Sequence, residues 1–182
     1  MALEFTASCL QDSIHLLRYY RTLAERAIAQ ATDSQLYQLL DQDANSIAIV
    51  MQHMAGNMKS RWTNFLVEDG EKPWRNRDSE FEHPPCSREA LLKMWEDGWQ
   101  CMFRVLDSLT DADLARTVLI RGEAHSVTQA IHRQVAHYAY HCGQIVLLAK
   151  HFQHGQWTSL TVPKGKSAEF NAKVRAGDAS QR

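Results

Sequence analysis

Long apolar runs are missing from this chain: the longest, IAIVM and IVLLA, are far too short to cross a bilayer, so no membrane is expected as a partner. The opening residues, MALEFTASCLQDS, hold neither a basic n-region nor an unbroken apolar stretch, and no secretory leader is expected. Cysteine is scarce. Cys9, Cys86, Cys101 and Cys142 show no CxxC or other close spacing, and without an export signal they read as reduced thiols of a cytoplasmic protein. An excess of either charge is lacking too: 20 Lys and Arg stand against 21 Asp and Glu, which implies no basic patch and argues against nucleic acid as a partner. The 182 residues suit one domain with a single core, and the one compositional excess is histidine, with nine copies.

Four segments carry helical periodicity. Leu3, Ala7, Leu10, Ile14, Leu17, Ala24 and Ile28 keep three-four spacing in the first, with Arg21 the only charge on the stripe. The second starts near Asn45 and aligns Ile47, Met51, Met54, Met58 and Phe65. Ser87 is the expected N-cap of the third after Pro84 and Pro85, followed by Leu92, Trp95, Trp99, Met102, Leu106 and Leu109. The fourth begins after Ser126 and carries Ile131, Val135, Tyr138, Cys142, Ile145, Ala149 and Phe152. Four long amphipathic helices without convincing strands between them predict an all-α four-helix bundle.

The connections are unequal. Residues 36–40 (LYQLL) suggest a short helical turn, and residues 117–125 (TVLIRGEAH) a short extended turn. The link VEDGEKPWRNRDSEFEHPPC, residues 67–86, is long for a compact domain and permits a crossover that leaves the second and third helices parallel. Its closely mixed charges predict a salt-linked ordered loop rather than a binding patch. Residues 1–155 are thus the expected bundle. Residues 156–182 are an irregular tail that either wraps the bundle or frays.

A second, polar stripe adjoins the apolar one in two helices. It reads Val50, His53, Asn57, Arg61 in one and Gln134, His137, His141, Gln144 in the other. His137 and His141, four residues apart, leave the same helix face one turn apart. Burying such groups without partners would cost roughly 1–3 kcal/mol each, a cost that a shared metal or a hydrogen-bond network offsets. Three imidazoles offer three neutral nitrogen ligands and leave a position for water or substrate; zinc suits them, and nickel, cobalt or iron are compatible. Hydrogen-bonded core histidines suit the same pattern. The HExxH motif is absent, because Tyr138 stands where its glutamate would be.

The combination of MQHMAGNMKSRW, HYAYHCGQIVLLAK and four amphipathic helices resembles the DinB/YfiT-like superfamily of bacterial bundle proteins. The segments DGEKPWRNRDSEFE, IRGEAHS and WTSLTVPKGKS are similar to a branch of uncharacterised function. The resemblance covers nearly the whole chain. It implies an up-down-down-up bundle, often dimeric, with one divalent transition metal, zinc or nickel foremost, on His53, His137 and His141. It further implies a small-molecule substrate, and either hydrolysis or transfer to a low-molecular-weight thiol such as bacillithiol, mycothiol or glutathione. The branch carries no assigned reaction. The competing reading is a non-catalytic dimeric bundle with a structural metal or a hydrogen-bonded histidine cluster.

Other residues are weighed beside these. Asn57 and Arg61 are candidates for supporting the metal or binding an anion at its mouth, although Arg61 more simply anchors the crossover through its acids. Gln144 either orients a metal-bound water or ties its helix to a neighbouring backbone. Gly143 is expected to permit close helix packing. Glu123 and His125 could reach the mouth as proton shuttles or remain an exposed loop pair. Cys142 projects about 100° from His141, onto the apolar stripe, and reads as a core thiol. Trp95 and Trp99 read as core or dimer contacts, and His132, His151 and His154 as surface. PKGKS is no phosphate loop, since Leu160 stands where GxxxxGK requires glycine.

Overall fold

The computed structural model of the chain describes residues 8–180. In chain order it forms α1 (Cys9–Ile28), a short α2 (Asp33–Tyr37), α3 (Ile47–Trp62), α4 (Arg88–Leu106), strands β1 (Thr117–Ile120) and β2 (Glu123–Ser126), α5 (Val127–Phe152) and α6 (Ser167–Ala176). The four long helices begin alike. The hydroxyls of Ser8, Ser46, Ser87 and Ser126 accept from the backbone N–H of Gln11, Ile49, Ala90 and Gln129, satisfying donors that a helix start leaves open.

Contacts between helices fix their directions. Arg18 of α1 pairs with Asp107 just past α4 at 2.9 Å, while Arg88 at the start of α4 donates to the Ile28 carbonyl at 2.9 Å; α1 and α4 are therefore antiparallel. Cys9 meets His132 near the start of α5 and Gln35, beyond the end of α1, donates to the Phe152 carbonyl, so α1 and α5 are parallel. His53 lies beside His141, and nine residues later Trp62 donates to Tyr138 at 3.2 Å, so α3 and α5 are antiparallel. The order is up, down, down, up. Parallel α3 and α4 cannot be joined by a tight turn, which is why the long crossover exists.

Trp62, Trp95, Trp99 and Tyr138 are fully buried at the centre. Gly98 of α4 sets the closeness of α3: a Cβ there would stand 2.9 Å from the Ala55 Cα. Gly143 has no such role, because a Cβ at that position would meet nothing within 4 Å. On α4 it is Leu91 that is buried, while the expected Leu92 is 37% exposed. Phe65 is buried but follows the end of α3, and Leu3 and Ala7 lie outside the described residues. The short helix starts before residues 36–40, at a capping box of Thr32 and Gln35, leaving Leu39 and Leu40 exposed.

Residues 117–126 form a two-stranded antiparallel hairpin pairing Ile120 with Glu123. Arg121 and Gly122 turn it with φ of 57° and 77°, the left-handed pair that two-residue hairpin loops require. The expected irregular tail is helical over Ser167–Ala176. None of this helix is buried, so no apolar period marks it. Glu169 pairs with Lys166 at 3.1 Å and with Lys173 at 3.0 Å, and Gly177 closes it at φ 81°. Before that helix the tail wraps the bundle: Leu160 is buried and its carbonyl accepts from Arg26 at 2.7 Å. Among the described residues no helix is long and apolar enough to cross a membrane.

Candidate metal centre

Because α3 and α5 are antiparallel, their polar stripes face each other. His53 comes to His137 and His141: Nε2 of His137 stands 3.3 Å from that of His53 and 3.0 Å from that of His141. One nitrogen from each ring lies within 4.8 Å of the others. Nitrogens held about 2.1 Å from one ion would stand about 3.0–3.4 Å apart, which the two closest separations match.

The outer nitrogens decide the tautomers. His53 Nδ1 lies 2.8 Å from Oε2 of Glu80, a carboxylate that only accepts when ionised. Burial would raise the Glu80 carboxyl, but hydrogen bonds from His53 and Arg75 and the Arg75 charge outweigh it and hold it below the usual range. Arg75 grips that carboxylate twice, at 2.8 and 2.9 Å. His141 Nδ1 donates to Gln144 Oε1 at 2.7 Å, and the Gln144 amide donates to the Tyr140 hydroxyl at 3.3 Å. Both Nε2 atoms are thereby left as bare lone pairs, directed at His137. A proton on His137 Nε2 could serve only one of them, and its own Nδ1 is buried without a partner.

An imidazolium at His137 or His141 does not resolve the crowding. Burial, then the neighbouring His141, His53 and arginine charges, push His137 down to about 3, and burial likewise lowers His141. Three convergent imidazole nitrogens, two of them on rings whose opposite nitrogen is held by an acceptor, are the donor set of a divalent transition ion.

Beside the histidines opens a cavity of about 250 Å³ whose lining includes His53, Asn57 and His137 and otherwise consists of arginines. Asn57 is oriented by a chain of donors. The Trp62 indole can only donate, so the Tyr138 hydroxyl that accepts from it donates onward to Asn57 Oδ1 at 2.9 Å. A larger cavity of about 390 Å³ is lined by Glu80, Gly56 and Met94 among others, and none of the three histidines lines it.

The remaining sequence candidates divide. Arg61 is buried, donates to the Gly70 carbonyl and pairs with Glu71 at 3.3 Å; it both anchors the crossover and lines the cavity. Gln144 holds His141 rather than a backbone group of a neighbouring helix. Glu123 and His125 do not line the cavity. Glu123 is exposed, and His125 Nδ1 donates to the Glu123 carbonyl at 3.0 Å; the hairpin contributes Arg121 instead. Cys142 is fully buried, and burial pushes its thiol up to about 12, as suits a core residue.

Sequence reading missed Glu80, Arg75 and Arg133. Glu80 and Arg75 sit in the crossover, Glu80 on a 3-10 turn over Asp78–Phe81, where no periodicity distinguishes one charge from another. Arg133 had a readable signal: it lies one turn before His137, on the same face.

Comparison with solved structures finds the fold in YfiT from Bacillus subtilis, described as a probable metal-dependent hydrolase with an unusual four-helix bundle topology. The two share 20% identity and a TM-score of 0.59, over 86% of this chain and 95% of that one. No curated protein matches the chain. A family model described as protein of unknown function (DUF1572) matches residues 4–166, and the chain, a four-helix bundle, belongs to that family.

Proposed function

We propose that this protein is a metal-dependent enzyme in which His53, His137 and His141 hold one divalent transition metal, zinc or nickel, and which catalyses hydrolysis or group transfer to a low-molecular-weight thiol. The observation that carries the proposal is the pair of Nε2 lone pairs aimed at a third imidazole, which can donate to only one of them. A divalent ion in this position supplies Lewis acidity, which activates water or a thiol near neutral pH. Three ligands from the described residues leave a coordination position open, whereas structural zinc closes its shell with four. The printed description of YfiT as a probable metal-dependent hydrolase supports the hydrolytic form of the reading. Four free cysteines accord with the cytoplasmic setting proposed for it.

The residues divide the work. Glu80 and Gln144 hold two imidazoles in the ligating tautomer, and Arg75 keeps Glu80 ionised and in place. Asn57 and the arginines offer donors where a substrate would lie. The test is metal content by mass spectrometry on untagged protein beside a His137→Ala/His141→Ala double variant. About one equivalent in wild type, absent from a folded variant, supports the proposal and leads to hydrolase and thiol-transfer screens. No uptake after reconstitution with zinc, nickel or iron overturns it. A collapse in melting temperature for His141→Ala, with no turnover found in wild type, would instead favour a structural metal.

A further inference from the structure

We propose that the cavity beside the three histidines is an oxyanion site, and that the substrate is a small molecule carrying a phosphate or carboxylate group seated among its arginines. This deepens the metal-enzyme reading and rests on it for the place of the reacting bond. Five arginines line the cavity: Arg61 from α3, Arg75 and Arg77 from the crossover, Arg121 from the hairpin turn and Arg133 from α5. Elements far apart in sequence thus deliver like charges to one space of about 250 Å³, and no carboxylate lines it.

Neighbouring acids cancel only part of these charges. Glu80 is occupied by Arg75 and His53. Glu71 is divided among Arg121 at 3.1 Å, Arg61 at 3.3 Å and Arg75 at 3.5 Å. Asp69 is turned to the backbone N–H groups of Glu71, Arg121 and Gly122. Among the described residues the one carboxylate beside Arg77 is Asp78, at 3.9 Å with both groups well exposed, its guanidinium also lying over the Phe81 ring, and Arg133 has no carboxylate partner. Five guanidiniums that share so few carboxylates keep an excess of positive charge, which an anion in the cavity would offset.

Two buried groups point the same way. Arg61 is 6% exposed, yet its Nε–H has no partner. The Asn57 oxygen is taken by Tyr138, which leaves its amide N–H groups as what it can offer the cavity. The lining therefore presents guanidinium and amide donors, the complement of phosphate or carboxylate oxygens. Because His53 and His137 line the same space, a bound oxyanion would lie beside the metal centre.

The experiment is calorimetric titration of inorganic phosphate, and separately of succinate, into the full-length protein at low ionic strength, both metal-free and zinc-loaded. Arg133→Ala and Arg77→Ala/Arg133→Ala are the test variants; Arg116→Ala, which pairs only with Asp113 at the surface, is the control. Saturable binding of at least one anion to metal-free protein is expected. It should weaken tenfold or more in Arg133→Ala, further in the double variant, and not in Arg116→Ala; the preferred anion identifies the group. The proposal is overturned if neither anion binds, or if binding needs zinc and is the same in Arg133→Ala as in wild type, the ion alone then being responsible. Failure of the metal reading would show separately, as absent zinc uptake, while the metal-free titrations still judge the anion site.

Discussion

Each of the three imidazoles offers one nitrogen to the others, and what holds the opposite edge differs from ring to ring: a carboxylate for His53, an amide for His141 and nothing for His137. The carboxylate depends on a glycine. A Cβ at Gly56 would stand 2.3 Å from Glu80 Oε1, so Gly56→Ala must displace a group that Arg75 and His53 both hold. Loss of such an outer partner typically costs about 10–100-fold in metal affinity. Gly56→Ala is therefore expected to weaken zinc binding at least about tenfold, read by competition with a chromophoric chelator. An unchanged affinity would remove Glu80 from the account. At this scale the histidines, Asn57 and Arg61 were legible as a stripe beside an apolar face. Glu80 was not, since its role depends on where a non-periodic loop is laid down.

Between elements, two contacts set the geometry. The first is α3 against α4 at Gly98, where Gly98→Ala would press on the Ala55 backbone. Overpacking of this kind costs about 1–3 kcal/mol, and urea unfolding should show a loss in that range with m unchanged. No loss would mean that the helices separate freely. The second is Asp69, which ties the crossover to the hairpin turn by accepting from Arg121 and Gly122 at 2.8 and 2.6 Å. Burial would raise its carboxyl, but the backbone donors of Glu71, Gly122 and Arg121 outweigh burial and hold it below the usual range. A carboxyl lowered by folding stabilises fully above its unfolded value, about 3.9, and loses that contribution as pH falls through the folded one. The stability gap between wild type and Asp69→Asn should be widest above about pH 5 and close as pH falls through the lowered folded value. A gap that stays constant with pH would contradict the lowered carboxyl.

For the whole molecule, the up-down-down-up order is what brings a histidine of α3 to a pair on α5, and the crossover it demands supplies Glu80 and Arg75. Metal binding and folding should therefore be linked, because the unfolded chain scatters these ligands. An ion present at 100 times its dissociation constant stabilises the native state by about 2.7 kcal/mol. For a chain of this size that corresponds to a rise in Tm of about 5–10 °C. Calorimetry with and without zinc should show this rise in wild type and not in His137→Ala/His141→Ala. Equal shifts in both proteins would place the ion elsewhere.

The sequence by itself determined the four long helices, the serine cap at Ser87 and the two polar stripes, because periodicity and capping act within a few residues along the chain. It also marked the three histidines; Arg133, one turn from His137, carried a readable signal that was missed. Other features waited on the tertiary structure. The irregular tail proved partly helical because surface ion pairs, not an apolar face, support α6. The supposed packing glycine moved from Gly143 to Gly98, since closeness belongs to a pair of helices and not to one. The union of five arginines with two histidines around one cavity joins residues from positions 53 to 137, and only the packing of α3, the crossover, the hairpin and α5 puts them together.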